Sequence, residues 1–336
     1  MRINKNDNGS KGEAKMKHVS IEIIQKCPNY CMHCSSISGI TCEKIIKFEL
    51  LRKVFDGLAE IKVDELSISG GEPFLHKDLA QIVKYGKEKG FNINIYTSGI
   101  MLDENGQYIS LKEDLIKQLS EYGVKKLIFN VQSLKENVYD KIMGTEGNLK
   151  LLMKSIECSK ENGIYTELHF VPMKLNYTEI KDVVHFVESE GLDRVSFLGL
   201  IPHGRAKQNK KELYLDKETN IRVKELLHSL EGENVRVGIP LKLESSTCIC
   251  NAGREKLYVK FDGRVYGCEA FKYIDLFDEK GNKIEPDSIY KNEIFDIFKN
   301  SQYLNAAKIR IHKIFEKNNL HENCPVQEEL REHEER

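Results

Sequence analysis

Six short apolar runs alternate with stretches of helical period, and this alternation restricts the chain to one fold class. The runs are HVSIEII (18–24), VDELSIS (63–69), FNINIYT (91–97), KKLIFNV (125–131), YTELHFV (165–171) and RVSFLGLI (194–201). Between them, Leu51, Val54, Phe55 and Leu58 recur at i, i+3, i+4, i+7. So do Leu149, Leu152, Met153 and Ile156, and again Ile180, Val183, Val184 and Val187; this is the stripe of a helix with one apolar face. Gly90, Gly163 and Gly191 stand where such helices should stop. Repeated strand–helix units predict an α/β fold with a parallel sheet and helices outside it. Six units fall short of the eight of a closed barrel, so a partial (β/α)6 barrel or an open sheet is expected over residues 17–206.

Reactive residues in such folds gather at the C-terminal ends of the strands. Cys27 follows the first run, and Gly70-Gly71-Glu72-Pro73 the second. Thr97-Ser98-Gly99 follows the third, Gln132-Ser133 the fourth, and His203-Gly204-Arg205 the sixth. All are expected on one rim. Beyond residue 206 the pattern changes. KQNKKE reads as a solvated connection inside a bridging region (207–240) that carries a helix at about 216–230. VRVGIPLKLE has a strand pattern, and KLYVKFDGRVYGC reads as a β-hairpin turning at Asp262-Gly263. The tail from about residue 289 is helical and charged.

The 336 residues are 40% hydrophobic and 31% charged, with a net charge of −1. No global basic excess points to a nucleic-acid partner. No apolar run approaches the roughly 20 residues that span a bilayer, and the polar start lacks a secretory pattern. Residues 1–16 read as a flexible leader, with Met16 as an alternative start. The nine cysteines are an odd number without an export signal, which favours metal-ligating thiolates in a reducing cytoplasm over disulfides. They group: Cys27, Cys31 and Cys34 near the start; Cys248, Cys250, Cys268 and Cys324 near the end. Cys42 reads as a small loop residue or one facing the active site, and Cys158 as inert.

The first group has C-x3-C-x2-C spacing. A structural zinc site or electron-transfer cluster usually takes four protein ligands. A [4Fe–4S] cubane held by three thiolates leaves one iron free to chelate a small molecule. The rival is a zinc knuckle with a distant fourth ligand, which leaves the GGEP turn one strand later unexplained.

C-x3-C-x2-C just after a first strand, followed by SGGEPFL (69–75), resembles the radical S-adenosylmethionine (SAM) enzymes over residues 18 to about 205. The resemblance implies that the open iron binds the amino and carboxylate groups of SAM. One electron from the cluster, supplied by a flavodoxin- or ferredoxin-type donor, would cleave the cofactor to a 5′-deoxyadenosyl radical that takes a hydrogen atom from substrate. It further implies that the turn Gly70, Gly71, Glu72, Pro73 contacts the methionine amino group and that His33 lies near the adenine. Thr97 and Ser98 match the family's polar turn after strand three. Ser133 is the candidate ribose contact, in NVQSL where many relatives have a Ser-Leu-Asp pattern.

Cys250, Gly263 and Cys268 form C-x12-G-x4-C, which resembles the start of the SPASM and twitch extensions of that family. The full SPASM pattern continues with four more cysteines; here only Cys324 follows. The resemblance therefore implies a small α+β C-terminal domain over 241–336 with one auxiliary [4Fe–4S] cluster on Cys248, Cys250, Cys268 and Cys324. Ligation by only one of Cys248 and Cys250, a zinc ion, or plain burial remain alternatives. Glu269, directly after a presumed ligand, matches the position of a catalytic base in sulfatase-maturating relatives, or is a surface carboxylate. His169 alternates with Leu168 and Phe170 and reads as a satisfied interior histidine. His203 and Arg205 read as cofactor-positioning residues or as a structural turn.

The expected function is a cytoplasmic radical SAM oxidoreductase that modifies a peptide by crosslinking or oxidation. Only 26 residues precede Cys27, so a peptide would be recognised by a separate protein or dock directly in the barrel mouth. The alternatives are a dehydrogenase acting on a small molecule such as a sugar alcohol, a non-catalytic iron–sulfur redox protein, and a zinc-binding interaction module.

Overall fold

The computed structural model describes residues 16–243, 250–318 and 324. Cys248 lies outside them. The first part runs β1 (His18–Ile24), α1 (Phe48–Glu60), β2 (Glu65–Gly70), α2 (Leu79–Glu88) and β3 (Asn92–Thr97). A side hairpin of β4 (Ile100–Leu102) and β5 (Tyr108–Ser110) precedes α3 (Glu113–Glu121) and β6 (Lys126–Asn130). Then come α4 (Glu136–Met143), α5 (Leu149–Glu161), β7 (Tyr165–Phe170), α6 (Ile180–Ser189) and β8 (Arg194–Phe197). The second part comprises α7 (Arg205–Gln208), α8 (Lys210–Leu213), α9 (Lys217–Leu230), β9 (Val235–Val237), β10 (Lys256–Val259) and β11 (Val265–Tyr266). It ends with β12 (Leu276–Phe277), β13 (Lys283–Ile284), α10 (Ile294–Asn300) and α11 (Gln302–Asn318).

The six expected strands form one parallel sheet in the order β1-β2-β3-β6-β7-β8. The helical stripes face it: Leu51, Val54, Phe55 and Leu58 of α1 are buried, as are Ile180, Val183, Val184 and Val187 of α6. Gly90, Gly163 and Gly191 follow their helices with positive φ, the left-handed stop for which glycine has no penalty.

The sheet does not end at six strands. β9 adds in parallel beside β8, and β10 adds in parallel beside β1, with His18 opposite Lys256 and Ile21 opposite Val259. The anticipated hairpin is present, since β10 pairs antiparallel with β11. It is also joined to this sheet, giving nine strands ordered β11-β10-β1-β2-β3-β6-β7-β8-β9. The anticipated boundary near residue 240 is therefore not a break in the hydrogen-bonded sheet. The physical reason is the free edge of β1, whose unpaired amides and carbonyls need a partner.

Alternate residues give the strands two unlike faces. Val19, Ile21 and Ile23 are fully buried apolar residues, while Ser20 and Glu22 between them are buried and polar. The polar face continues across the sheet by register: Ser20 opposite Ser67, Ser67 opposite Asn94, His169 opposite Ser196, and Ser196 opposite Arg236. One face of the sheet is thus lined by hydroxyls, carboxylates and imidazoles. Among the described residues, no helix is long and apolar enough to cross a membrane.

Candidate functional site

Cys27, Cys31 and Cys34 lie on the loop leaving β1, at the C-terminal end of the sheet. Backbone bonds from distant segments shape the loop. Cys27 N donates to Gly39 O at 3.1 Å, Tyr30 N to Met143 O at 3.0 Å, and Met32 N to Ile142 O at 2.8 Å. Cys34 N donates to Cys31 O at 3.2 Å, a turn that brings the second and third thiols to one side.

Arg205 fastens the loop from behind. It is 2% exposed; its Nε donates to Cys31 O at 2.8 Å and its backbone amide to Cys34 O at 3.0 Å. Its guanidinium lies 4.0 Å from the Tyr30 ring centroid, a cation–π contact. Gly204 has φ +60, and a Cβ there would lie 2.6 Å from both Cys34 O and Ser35 O. The PHGRA segment therefore closes against the cysteine loop.

The three thiols are in no disulfide. Burial and the charge of Cys34 push the Cys31 thiol up to about 12, and burial with the charges of Cys31 and Glu72 raises Cys27 as well. Thiols that burial and mutual repulsion keep protonated are relieved by a bound cation. His33 Nδ1 and Arg205 Nη1 and Nη2 are buried beside them with no hydrogen-bond partner, polar atoms that a polar ligand would satisfy. Among the described residues no three His, Cys, Asp or Glu side chains converge on a point for a single metal ion; a cubane spreads its thiolates over separate irons. The donor set and the orphaned atoms fit an iron–sulfur cluster with an organic ligand. Burial, then the charge of Arg205, lower His33 to about 4, so the imidazole is neutral at neutral pH.

The Gly-Gly-Glu-Pro turn crosses the exit of β1. A Cβ at Gly70 would meet Ile24 O at 2.2 Å, and one at Gly71 would meet Lys26 O at 2.1 Å. The amides of Gly71 and Glu72 donate to Ile24 O and Lys26 O at 2.7 and 2.9 Å. Both glycines are thus demanded by contact with the chain that carries the cysteines, a nearer reason than ligand approach. Glu72 is fully buried and accepts from Phe74 N (3.1 Å), Thr97 Oγ1 (2.8 Å), Ser98 N (2.7 Å) and Ser98 Oγ (2.5 Å). The Thr97 and Ser98 hydroxyls, expected at the cofactor, are bound to Glu72. Pro73 opens a short helical turn (Pro73–Leu75).

Ser133, the candidate ribose contact, has its partners within the chain. It is fully buried, and its hydroxyl lies 2.9 and 2.8 Å from the two Glu179 carboxylate oxygens. Glu179 also accepts from Leu134 N at 3.0 Å. The pair closes the loop after β6 onto the segment before α6, so this hydroxyl is taken within the chain.

Cys268 lies where the β11 strand gives way to the short helical turn Glu269–Tyr273. Burial raises its thiol, as do the charges of Glu269, Cys324 and Cys250. Cys250 and Cys324 thus sit near Cys268 although far apart in sequence. Glu269 is exposed, and its charge acts on His18, Tyr96 and Tyr258 of β1, β3 and β10. Glu269 thus stands between the second cysteine group and the polar face of the sheet, its charge reaching both Cys268 and the groups on β1, β3 and β10. On that face, Glu167 accepts from Ser196 Oγ at 2.6 Å and contacts Lys126 Nζ at 3.1 Å and His169 Nε2 at 3.3 Å. His169 is therefore the satisfied interior histidine expected of it. Cys42 lies on the loop with Sγ 3.7 Å from Ile37 O, and Cys158 sits half-buried on α5 beside Asn162.

One group was not foreseen. Lys272 and Glu22 form a buried charge pair beside the cysteine loop, and Tyr273 stacks on His203 at 4.1 Å with its hydroxyl donating to Ser35 O. The aromatic and basic residues of EAFKY carried the only signal.

The radical SAM superfamily pattern matches residues 21–187. This part of the chain is a radical SAM domain. Fe-coproporphyrin III synthase of Methanosarcina barkeri is 27% identical over 191 residues, covering 56% of this chain and 45% of that protein. PqqA peptide cyclase of Bradyrhizobium diazoefficiens is 24% identical over 269 residues, covering 77% and 68%. The structure of SuiB from Streptococcus suis bound to S-adenosylmethionine superposes with a TM-score of 0.72 at 15% identity, covering 93% of this chain and 74% of that one. The radical SAM domain spans β1 to α6 and includes the cysteine loop, GGEP and the β3 turn. Membership implies a [4Fe–4S] cluster and SAM.

Proposed function

We propose that this radical SAM enzyme oxidises or crosslinks a peptide, with Glu269 as the base and a second iron–sulfur site behind it. The observation that carries this reading is the place of Glu269: exposed beside Cys268 of the second cysteine group, it also reaches His18, Tyr96 and Tyr258 on the polar face of the sheet. When bound, the cluster and SAM supply the 5′-deoxyadenosyl radical, and an auxiliary [4Fe–4S] cluster supplies an electron acceptor. Cys27, Cys31 and Cys34 would hold the first cluster, and His33 and the Gly70–Pro73 turn would help to bind SAM. Thr97 and Ser98 act through Glu72, keeping that turn in place. Cys250, Cys268 and Cys324, with Cys248 from outside the described residues, would hold the auxiliary cluster. Glu269 accepts the proton that an oxidised substrate must lose; its exposure and its lack of a described hydrogen bond leave it free to do so.

A peptide substrate agrees with what the names of two similar proteins say: a peptide cyclase, and SuiB, whose structure is also known with precursor peptide SuiA (TM-score 0.70, 16% identity). A flavodoxin- or ferredoxin-type donor and a separate recognition protein complete the proposal. The small-molecule alternative draws on the polar face of the sheet itself, whose hydroxyls, imidazoles and carboxylates suit a polyol.

The test is anaerobic reconstitution followed by reduction with SAM present. The proposal expects about eight irons per chain and release of 5′-deoxyadenosine. It further expects a mass change in a candidate peptide encoded beside the gene, abolished by Glu269→Gln while cofactor cleavage persists. Cleavage with no peptide change, and turnover of a sugar alcohol instead, would move the reading to the dehydrogenase. No cleavage at all would sink it.

A further inference from the structure

A lysine and a glutamate from opposite ends of the chain meet beside the first cysteine loop. The Lys272 side chain is 2% exposed and that of Glu22 5%, with Nζ 3.6 Å from Oε1. Lys272 Nζ also donates to Ser36 Oγ at 2.8 Å and to Tyr258 OH at 3.2 Å. It lies 5.1 and 5.2 Å from the ring centroids of Tyr258 and Tyr273. Ser36 in turn donates to Glu22, which also receives Phe261 N at 3.4 Å. Ser36 stands two residues after Cys34, and Lys272 four residues after Cys268. The pair therefore touches the loop of the first cysteine group, and its lysine lies four residues from a cysteine of the second.

Burying a charge pair is costly unless geometry and hydrogen bonds offset the lost hydration. Here the hydrogen bonds are present but the salt bridge itself is long. A pair that served only to join two segments would be replaceable by apolar packing. A fixed charge in a low-dielectric site does something apolar packing does not, because it acts at range on any neighbouring charge. Burial opposes the Lys272 charge, but Glu22, Tyr273, Cys34 and Glu269 outweigh it and raise its pKa, so the cation persists at neutral pH.

We infer that Lys272 and Glu22 set the reduction potential of the cluster held by Cys27, Cys31 and Cys34, with opposite signs. This rests on the cluster assignment above. An added electron makes the cluster more negative. A neighbouring cation stabilises the reduced form and raises the potential; an anion lowers it. Lys272 is a positioning residue whose contribution is charge, and Ser36 keeps both groups at the loop.

The experiment compares anaerobically reconstituted wild type with Lys272→Met, Lys272→Arg and Glu22→Gln. The midpoint potential is followed by electron paramagnetic resonance, using the signal that changes on adding SAM, so that the first site is read apart from any second one. Iron and sulfide content are measured in parallel. Lys272→Met is expected to shift the midpoint to more negative potential, Glu22→Gln to more positive potential, and Lys272→Arg to stay near wild type. A purely structural latch predicts lost iron with the remaining midpoint unchanged, and that result overturns the inference. Shifts of the same sign in Lys272→Met and Glu22→Gln overturn it too. If Lys272→Met does not fold, Glu22→Gln decides alone: a positive shift supports the inference, and none or a negative one refutes it. A wild-type protein with no SAM-responsive signal refutes the cluster assignment itself.

Discussion

Glu72 and Ser98 are joined twice: the Ser98 amide and hydroxyl both donate to Glu72 Oε2, at 2.7 and 2.5 Å. This buried carboxylate fastens the turn after β2 to the turn after β3. Glu72→Gln places amide hydrogens against donors and should cost about 2–4 kcal/mol of stability, read by chemical denaturation of the unreconstituted chain. Ser98→Ala should cost about 1–2 kcal/mol. Equal stabilities of wild type and Glu72→Gln would show the network to be incidental.

Gly71→Ala should be harsher than its single methyl suggests. The new Cβ would meet Lys26 O at 2.1 Å and Gln25 O at 2.4 Å, both backbone atoms that cannot swing aside. A loss of about 3 kcal/mol or more is expected, along with reduced iron uptake, because the clash pushes on the strand exit carrying Cys27. Iron uptake equal to wild type in Gly71→Ala would contradict this.

Ser133→Ala separates support from cofactor contact. Removing a donor from buried Glu179 should lower stability by about 1–3 kcal/mol with SAM affinity of the folded protein unchanged. Isothermal titration with SAM checks it. A loss of affinity without a loss of stability would mark Ser133 as a SAM contact instead.

Glu167 supplies a pH signature. Burial works to raise its pKa, but the hydrogen bond and charge of His169, the Ser196 hydroxyl and Lys126 outweigh it and hold the carboxyl well below the usual range. A depressed carboxylate contributes stability that is present above its unfolded value and lost as pH falls through the carboxylate range. Glu167→Gln should therefore melt lower at neutral pH and show a shallower acid limb. Parallel limbs in melting curves taken at stepwise lower pH would count against this account.

The six central strands and their helices were legible because each is announced locally, by alternation or by a four-point stripe. The cysteine loop and GGEP were legible as spacing. What sequence hid was the partner of each group. Nothing near Ser20 says that Tyr258 lies opposite it, and Ser36 meets Lys272 across 236 residues. The polar residues after the strands were assigned outward, to ligand. In the structure Thr97, Ser98 and Ser133 each find a buried carboxylate of the same chain, since a buried acid needs donors wherever the fold can provide them. The glycines of GGEP stand out in the sequence, and in the structure their close neighbours are backbone atoms.

The parallel pairing of β10 with β1 carries a consequence for synthesis. During translation the first strand emerges early, yet its outer flank must wait for residues 256–259 to leave the ribosome. Until then the nascent chain presents a naked ribbon of amides and carbonyls, open to wrong partners. Truncation before residue 256 should therefore yield a product prone to aggregate, even though all six central strands are already made.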